Sequence, residues 1–456
     1  MGPEQIPAAL QAHRTFFAGQ QTKSVAFRKQ QLQALYNAII KYEKPLYEAF
    51  WEDLHKSEGE TFLTEISIVL QEIKHHSRNL KHWTRPKNVC PTLSVLPSKS
   101  QIIYEPLGTA LIIAPWNYPF NLLFCPLVGA ISAGCCAMLK PSPYTPHVAN
   151  VMEQIITETF PEQYISIIQG NRQINALLLE QRFDFIFFTG SPKLGKTVMQ
   201  AAAKTLTPVL LELGGKSPCI VDKEADIKVA AQRIMWGKTI NAGQTCIAPD
   251  YLFVHESIKT QLLEEMKQVL VKMFGENPEI SDYFPRIVNA AAMERLEKLM
   301  VDGNIVVGGE INKHQRYIAP TIIDNVKPDM PIMQEEIFGP ILPVMTFKDT
   351  QTVVEYVNNH EKPLAFYYFG NTKKAKSLLS KTSSGGACIN DVLLHFANPN
   401  LPFGGVGNSG LGKYHHHENF LAFSNRRSVL KSVKWFDLSV KFPPFKGLDK
   451  LKIFLK

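Results

Sequence analysis

The sequence contains few cysteines and places none of them in a regular pattern. Its 456 residues include seven scattered cysteines, and no C-x-x-C pair occurs. A disulfide framework and a cysteine-based zinc site are therefore both disfavoured. The first residues lack a basic segment followed by an apolar run, so we expect no secretory signal. Together these absences predict a cytoplasmic protein without a metal centre.

The sequence also lacks a strong excess of either charge. Lysine and arginine number 49 against 41 aspartates and glutamates, a net charge of +8. This mild excess predicts no nucleic-acid partner. Hydrophobic residues make up 45% and charged residues 20%, as in ordinary globular proteins. The length exceeds that of one small core and predicts two or three domains.

One long stretch contains no charged residue. Residues 106–139 are uncharged, which is longer than a membrane span requires. Pro115, Pro119 and Pro126 interrupt this run. Parallel strands that are covered on both faces have continuous apolar sequences. A buried strand–helix–strand core is therefore the preferred interpretation, and a transmembrane segment is the alternative.

Apolar segments of strand length alternate with helical segments along most of the chain. Helical periodicity covers residues 26–55 and 60–83. Strands are predicted over residues 109–113, 136–139, 165–168 and 185–189, with helices over 119–134, 146–160 and 193–206. A second set of strands and helices follows between residues 219 and 369. This alternation predicts an α/β protein with two α/β domains and open, mostly parallel sheets.

Three chemically active side chains lie in unusual local settings. Cys246 follows Gly243 and two small polar residues that fill a core poorly; inert packing is the alternative. Glu212 lies between an apolar run and two glycines. It is either a general base or an ordinary surface carboxylate at the end of a strand. Asn117, in the uncharged stretch, either satisfies a turn or donates a hydrogen bond to a reacting oxygen. A thiol, a carboxylate and an amide suffice to form and hydrolyse a thioester.

A glycine-rich segment matches the phosphate-binding pattern G-x-x-x-x-G-K-[ST]. Residues 190–197 have this pattern, after a predicted strand and before a predicted helix. Residues 218–222 would then supply a second strand that ends in Asp222. Taken alone, this motif leaves a P-loop NTPase open as an alternative. The same helix N-terminus is equally suited to the pyrophosphate of a dinucleotide.

Several longer motifs, in a fixed order, resemble the aldehyde dehydrogenase superfamily. They are EPLG (105–108), WNYPFN (116–121), LELGGKSP (211–218), GQTCIAPD (243–250), EEIFGP (335–340) and LPFGGVGNSG (401–410). The resemblance covers roughly residues 10–430 and is strongest to the class 3, fatty-aldehyde-like branch. It implies a Rossmann-type coenzyme domain, a second α/β catalytic domain and a small bridging, oligomerising β element.

The resemblance assigns roles to the three reactive side chains. It implies that Cys246 is the nucleophile and that Glu212 is the base that activates water. Asn117 resembles the oxyanion donor that acts with the backbone N–H of Cys246. The implied reaction oxidises medium- or long-chain aliphatic or aromatic aldehydes to carboxylic acids. A CoA-acylating or reductive relative, a P-loop NTPase and a non-catalytic scaffold are the alternatives.

The resemblance also implies a binding site for NAD or NADP. The implied residues are Lys140, Thr189, Gly190, Ser191, Gly195, Glu336 and Phe338. Lys140 resembles the lysine that bonds the adenosine ribose. Pro143 stands where the family commonly has a glutamate that repels a 2′-phosphate, so NADP becomes admissible. Lys196 and Thr197 then need no role beyond solvation of the helix.

Domain limits and partners complete the sequence-based predictions. The coenzyme domain is predicted over residues 1–79 and 104–212, the catalytic domain over 213–389, and bridging segments over 80–103 and 390–430. The absence of the long N-terminal arm of tetrameric classes, together with residues 404–413, predicts a homodimer. Residues 431–456 form a basic, apolar tail that either packs on the protein or contacts an anionic membrane.

Two further features carry weaker predictions. Tyr118 and Trp236 lie near the catalytic motifs and either line an apolar substrate tunnel or pack in the core. The run from His415 to His417 suggests a metal site at first sight. Adjacent side chains on a regular element point in different directions, so we predict that no metal binds there.

Overall fold

The computed structural model describes residues 2–455, which form helices around several β-sheets. The α-helices are α1 (Ile6–Ala18), α2 (Val25–Lys41), α3 (Glu43–Leu54), α4 (Glu58–Thr61), α5 (Ser67–Trp83), α6 (Asn121–Ala133), α7 (Pro146–Thr159), α8 (Arg172–Glu180), α9 (Pro192–Ala203), α10 (Ile227–Thr239), α11 (Lys259–Phe274), α12 (Ala290–Leu299), α13 (Thr350–Asn358), α14 (Thr372–Lys381), α15 (His416–Ala422) and α16 (Leu448–Leu455). The strands are β1 (Lys87–Val89), β2 (Ser98–Pro106), β3 (Thr109–Ile113), β4 (Cys136–Lys140), β5 (Ile165–Ile167), β6 (Phe185–Gly190), β7 (Val209–Leu213), β8 (Pro218–Val221), β9 (Tyr251–His255), β10 (Asn304–Val307), β11 (Ile311–Asn312), β12 (Tyr317–Ile318), β13 (Thr321–Asp324), β14 (Ile341–Phe347), β15 (Ala365–Phe369), β16 (Gly386–Ile389), β17 (Gly410–Leu411) and β18 (Ser424–Ser432).

The first sheet has the strand order β17-β7-β6-β3-β4-β5. All neighbours pair in parallel except the short β17, which runs antiparallel to β7. The chain builds outward from β3 in one direction through β4 and β5, and in the other through β6 and β7. In such doubly wound sheets, ligands bind at the carboxyl ends of the strands where the order reverses. This rule points to the gap between β3 and β6.

The uncharged stretch folds as β3, α6 and β4. Every residue of these three elements is buried. The continuous apolar sequence therefore reflects a helix and two strands covered on all sides. Among residues 2–455, no helix combines the length and the apolar character that crossing a membrane demands. The predicted strand–helix–strand core is confirmed.

The second sheet has the order β10-β13-β14-β9-β8-β15-β16 and is parallel except for β10. Together with the first sheet, it confirms the predicted α/β architecture with two mostly parallel sheets. Cys246 lies between α10 and β9, on the chain that enters this second sheet. The site therefore forms where the loops of both sheets meet.

The third sheet is antiparallel, with the order β1-β2-β18. All nine residues of β18 pair with β2, from Ser424 opposite Pro106 to Ser432 opposite Ser98. This sheet is the predicted small β element. Strands β2 and β18 extend beyond residues 103 and 430, the predicted limits of the bridging segments. Most of β18 is exposed to solvent.

Candidate active site

Most of the predicted site residues line one cavity of about 210 Å³ at the carboxyl ends of β3, β6 and β7. The predicted residues in its wall are Asn117, Thr189, Gly190, Ser191, Glu212, Cys246, Glu336 and Phe338. These side chains come from both α/β sheets and from separate parts of the sequence. Lys140 and Gly195 are not part of this wall.

A strained turn presents Cys246 to the cavity. The preceding 3₁₀ segment (Ile240–Gly243) holds Asn241 and Ala242 in left-handed conformations, with φ of 52° and 51°. Such backbone strain persists only where surrounding contacts enforce it, and it occurs often at functional sites. Gly243 also has a positive φ, and a Cβ there would lie 2.2 Å from the carbonyl oxygen of Gly339. Glycine is therefore required at position 243.

Hydrogen bonds join the turn to Asn117. The Asn117 side-chain amide donates to the carbonyl oxygen of Gln244 (3.0 Å), and the Asn241 amide donates to the carbonyl oxygen of Asn117 (2.8 Å). Beside them, the Tyr118 hydroxyl lies 2.6 Å from the Thr245 hydroxyl. Asn117 is 3% exposed. Its amide is thus held next to the segment that carries the thiol, as an oxyanion donor requires.

Glu212 is a buried carboxylate inside β7. It pairs with Thr189 of β6 on one side and with Gly410 of β17 on the other, and it is 3% exposed. Neither carboxylate oxygen has a hydrogen-bond partner within residues 2–455. Burial raises its pKa well above the ordinary value, and the nearby Lys413 ammonium opposes that shift. The surface-carboxylate interpretation is therefore wrong, because the strand lies within the sheet.

The surroundings of the Cys246 thiol disfavour its ionisation. Burial raises its pKa, and the negative charges of Glu336 and Glu212 raise it further. A buried thiolate needs a compensating charge or a base that accepts its proton. Glu212 shares the cavity wall and has a carboxylate that is chemically able to accept such a proton.

The N-terminus of α9 lies at the end of the cavity formed by Thr189, Gly190 and Ser191. Ser191 caps the helix by accepting a hydrogen bond from the backbone N–H of Leu194 (3.4 Å), and Pro192 starts the helix. The Thr189 hydroxyl is buried without a hydrogen-bond partner within residues 2–455. Gly195 lets α9 pack closely, since a Cβ there would lie 2.7 Å from the Leu213 side chain. Free backbone N–H groups at this helix end suit a pyrophosphate.

Glu336 and Phe338 close the opposite side of the cavity. Burial raises the pKa of Glu336 to about 8, with a contribution from the charge of Asp250. Phe338 has a φ of 53° and packs edge-on against Trp116, with ring centroids 5.5 Å apart. A Cβ on Gly214 would lie 2.0 Å from the Glu336 carboxylate, so this glycine is needed for the close approach.

Lys140 lies away from the cavity, at the end of β4. Its side chain is 1% exposed, and its ammonium donates to the backbone carbonyl of Pro141 (2.7 Å). Burial lowers its pKa to about 8. A lysine that is buried with a single backbone acceptor has donors left for a ligand hydroxyl.

The comparison with known families decides the identity of this fold. The model of the aldehyde dehydrogenase family matches residues 1–429. The protein belongs to the aldehyde dehydrogenase family. It is therefore an oxidoreductase, and enzymes of this family use NAD or NADP.

Similar proteins place the chain beside class 3 aldehyde dehydrogenases. It is 47% identical to the 4,4′-diaponeurosporen-aldehyde dehydrogenase of Staphylococcus aureus, over 97% of both chains. It is 43% identical to the dimeric, NADP-preferring aldehyde dehydrogenase of Rattus norvegicus, over 91% of this chain and 92% of the relative. A solved structure titled as the substrate-bound state of Staphylococcus aureus AldH superposes with a TM-score of 0.96 at 46% identity, covering 99% of each chain.

The P-loop interpretation is wrong, because the protein is an aldehyde dehydrogenase. Lys196 and Thr197 lie on the exposed side of α9, and the Thr197 hydroxyl donates to the backbone of Lys193 (3.3 Å). Asp222 follows β8 in the second sheet, where Tyr368 donates to it (2.8 Å). The two halves of the apparent nucleotide motif therefore belong to different sheets. The free backbone N–H groups of the same helix N-terminus are also suited to the pyrophosphate of a dinucleotide.

The histidine run packs around a buried carboxylate. Glu72 accepts hydrogen bonds from the His76 ring (3.1 Å) and from the backbone N–H of His416 (2.7 Å), and His415 lies close by. No arrangement of three or more metal-binding side chains occurs within residues 2–455. In this aldehyde dehydrogenase the run links α15 to α5.

A second, larger cavity reaches the same thiol. Its volume is about 640 Å³, and its wall is mostly apolar. Both cavities share Leu122, Cys246, Phe403 and Tyr414 in their walls. Tyr118 and Trp236, the predicted tunnel residues, both line it. The Cys246 thiol is thus accessible from both cavities.

Sequence reasoning missed residues that act on the site through contacts. Lys413 lies near Glu212, and Asn241 joins Asn117 to Gln244. Glu60 accepts the backbone N–H of Asn241 (2.8 Å) from a different part of the chain. Lys413 lies within the glycine-rich residues 404–413, and Asn241 lies two residues before the GQTCIAPD motif. Glu60 had no local signal.

Proposed function

We propose that this enzyme oxidises apolar, medium- or long-chain aliphatic or aromatic aldehydes to carboxylic acids with NAD or NADP. The observation that supports this most directly is the sharing of Cys246 by two cavities. A cofactor and an aldehyde can approach the same sulfur from opposite sides. The apolar wall of the larger cavity fits a hydrocarbon chain.

The residues fit a dinucleotide whose nicotinamide end lies in the smaller cavity and whose adenosine end extends beyond it toward Lys140. Ser191 and the α9 N-terminus would hold the pyrophosphate, Lys140 the adenosine ribose, and Glu336 and Phe338 the nicotinamide end. The unpartnered Thr189 hydroxyl and the glycine at 214 leave polar groups and room for this ligand. When bound, the oxidised nicotinamide supplies a hydride acceptor.

Side chains of this protein carry out the formation and the hydrolysis of the thioester. Cys246 attacks the aldehyde carbon after Glu212 takes its proton. Asn117 and the backbone N–H of Cys246 stabilise the negative oxygen that develops. Once the thioester has formed and Glu212 has released the thiol proton to solvent, Glu212 takes a proton from water, which attacks the acyl carbon. The C–S bond then breaks, the acid leaves, and Glu212 returns the proton to the Cys246 thiolate.

Relatives and cavity shape support an apolar substrate. The name of the Staphylococcus aureus relative describes an aldehyde dehydrogenase of 4,4′-diaponeurosporenal, a long apolar aldehyde. The cavity of about 640 Å³ lies within the range of pockets that enclose whole small-molecule ligands. A CoA-acylating reaction is the alternative. The buried Glu212 favours hydrolysis, because transfer to a thiol needs no base for water.

Absorbance at 340 nm tests this function directly. Purified enzyme is given aldehydes from acetaldehyde to hexadecanal, and benzaldehyde, with NAD or NADP in parallel. Reduced cofactor should accumulate, and kcat/KM should rise with chain length. Stoichiometric acid would support hydrolysis, whereas turnover only with added CoA would select the acylating alternative. No reduced cofactor with any aldehyde would refute the proposal.

The residue at position 143 should set the choice of cofactor. Pro143 is exposed just beyond β4, close in sequence to Lys140. The change Pro143→Glu places a carboxylate where it would repel a 2′-phosphate. We expect kcat/KM for NADP to fall about tenfold or more relative to NAD. Initial rates with both cofactors measure the ratio, and Pro143→Gln is the uncharged control. An unchanged ratio in the glutamate variant would contradict the assignment.

We further propose a cytoplasmic homodimer. The exposed nine-residue β18 forms one edge of the third sheet, and long exposed edge strands favour pairing with another chain. The rat relative is named as dimeric. Sedimentation should give twice the 51.3 kDa mass of one chain. A monomer at micromolar concentration would contradict this proposal. Membrane contact by the tail stays a prediction.

A further inference from the structure

The larger cavity contains carboxylates but no cationic side chain of lysine or arginine. Its wall, within residues 2–455, includes Glu60, Glu72, His415 and His416 among apolar, aromatic and uncharged polar residues. A charged group in a mostly apolar cavity is weakly screened and acts strongly on any charged ligand. The carboxylates therefore give the cavity a negative electrostatic potential, although most of its lining is apolar.

The Glu72 carboxylate is extensively compensated. One of its oxygens accepts hydrogen bonds from the His76 ring (3.1 Å), the His416 backbone (2.7 Å) and the Asn419 amide (2.9 Å). The imidazole of His416 lies 2.9 Å from its other oxygen. These donors and rings absorb much of its charge. Its influence on a ligand in the cavity is correspondingly reduced.

Glu60 is compensated far less. Its Oε1 atom accepts the backbone N–H of Asn241 (2.8 Å), and no hydrogen bond to Oε2 is found within residues 2–455. The nearest cation, Lys56, is committed to the fully buried Glu65, with 3.2 Å between the charged atoms. Burial raises the pKa of Glu60 to about 6 and that of Glu65 to about 7, so at pH 8 both are ionised and, with Lys56, carry one net negative charge. That charge belongs to the residue that lines the cavity.

The bond to Asn241 also fixes where this charge lies. Asn241 begins the motif that contains Cys246 five positions later, and its backbone is held in a left-handed conformation. Glu60 therefore cannot move away from the cavity without releasing that N–H group. A fixed charge discriminates between ligands better than a mobile one, because it cannot relax away from an unfavourable partner.

We propose that Glu60 is a specificity-determining residue that rejects aldehydes with a distal carboxylate and favours neutral or cationic ones. This inference rests on the proposed aldehyde oxidation and concerns only the choice among aldehydes. The rejected class comprises the semialdehydes of dicarboxylic acids. A carboxylate in this cavity meets the fixed charge of Glu60 and finds no lysine or arginine in the wall to pair with.

The test compares charged aldehydes with uncharged partners of the same shape. Semialdehydes of four to nine carbons are each measured beside their ω-amides, so that the charge is placed at successive depths. The cation 4-(trimethylammonio)butanal is measured beside 5,5-dimethylhexanal. The quantity compared is the ratio of kcat/KM within each pair, at pH 8 and low ionic strength. Ratios cancel any general change in catalytic rate.

The variant Glu60→Gln removes the charge and keeps an oxygen that accepts the Asn241 N–H. In the native enzyme we expect the semialdehyde-to-amide ratio to be lowest at one chain length. Glu60→Gln should raise that ratio about tenfold or more and lower the ratio for the cationic pair. Glu58→Gln is the matched control, since Glu58 is exposed on the same short helix and does not line the cavity.

The outcomes separate this inference from the proposed function. Turnover of 5,5-dimethylhexanal with unchanged ratios in Glu60→Gln at every chain length would overturn the role of Glu60. An equal rise in Glu58→Gln would also overturn it, because the effect would then be general surface charge. Absence of turnover with every neutral aldehyde would instead overturn the proposed function.

Discussion

Replacing Cys246 by alanine is expected to abolish aldehyde oxidation, with kcat lowered by at least ~1,000-fold. The side chain is the only thiol in the walls of the two cavities that residues 2–455 form around the site. Without it, neither the covalent adduct nor the thioester can form. Reduced cofactor measured at 340 nm reports the loss. Cofactor binding, followed by the fluorescence of NADPH, should remain close to that of the native enzyme.

A matched thiol substitution controls for non-specific damage. Cys90 is exposed and lies in the segment before β2, outside both cavities. Cys90→Ala should retain native kcat and KM. The assignment of the nucleophile is wrong if Cys246→Ala keeps more than a small fraction of native activity, or if an acyl group is found on another residue by mass spectrometry.

Replacing Glu212 by glutamine should slow the release of product more than the formation of the acyl-enzyme. We expect steady-state kcat to fall ~100- to 10,000-fold, the usual contribution of a positioned general base. Glutamine fits the same space in β7 but cannot take a proton from water. Rapid mixing should then show a burst of reduced cofactor approaching one per active site, followed by very slow turnover. Mass spectrometry should detect acylated Cys246.

A missing burst would be equally informative. It would mean that Glu212 is needed mainly to deprotonate the thiol, and it would contradict the expectation that hydrolysis depends on Glu212 more than acyl-enzyme formation does. Glu355→Gln, on α13 and away from the cavities, is the control for loss of one carboxylate.

The pH dependence of the native enzyme should follow the same carboxylate. Burial raises the pKa of Glu212 well above its ordinary value, while Lys413 limits the rise. A general base works only when ionised, so kcat should increase as pH rises and level off above that pKa. The Glu212→Gln variant should lose this dependence in the hydrolytic step. A native kcat that is constant from acid to alkaline pH would contradict the raised pKa.

The agreement between sequence and structure was greatest where the signal was local. Ser191 and Pro192 mark the start of α9 because capping and proline placement depend on neighbouring residues. The uncharged residues 106–139 indicated a core buried on all sides, since their composition follows from burial alone. Such features need no knowledge of distant contacts.

The agreement between sequence and structure was weakest for features that depend on strand register and on contacts between distant residues. Glu212 was open to a surface interpretation because a strand end and a strand interior have similar local sequences. Its burial depends on β6 and β17 flanking β7. Glu60 could not be recognised either, because its partner Asn241 lies far along the chain. Periodicity and motif spacing carry no information about such pairs.

The sequence was sufficient to establish the chemical class of this protein. The motifs around Asn117, Glu212 and Cys246, in that order, identify the family. Membership of the family in turn implies the fold and the cofactor. Tertiary structure alone revealed the two cavities that share Cys246 and the fixed negative charge of Glu60 in the larger one. Chemistry depends on which residues are present. Selectivity depends on how residues from distant segments surround a common space, and that arrangement exists only after the sheets have packed together.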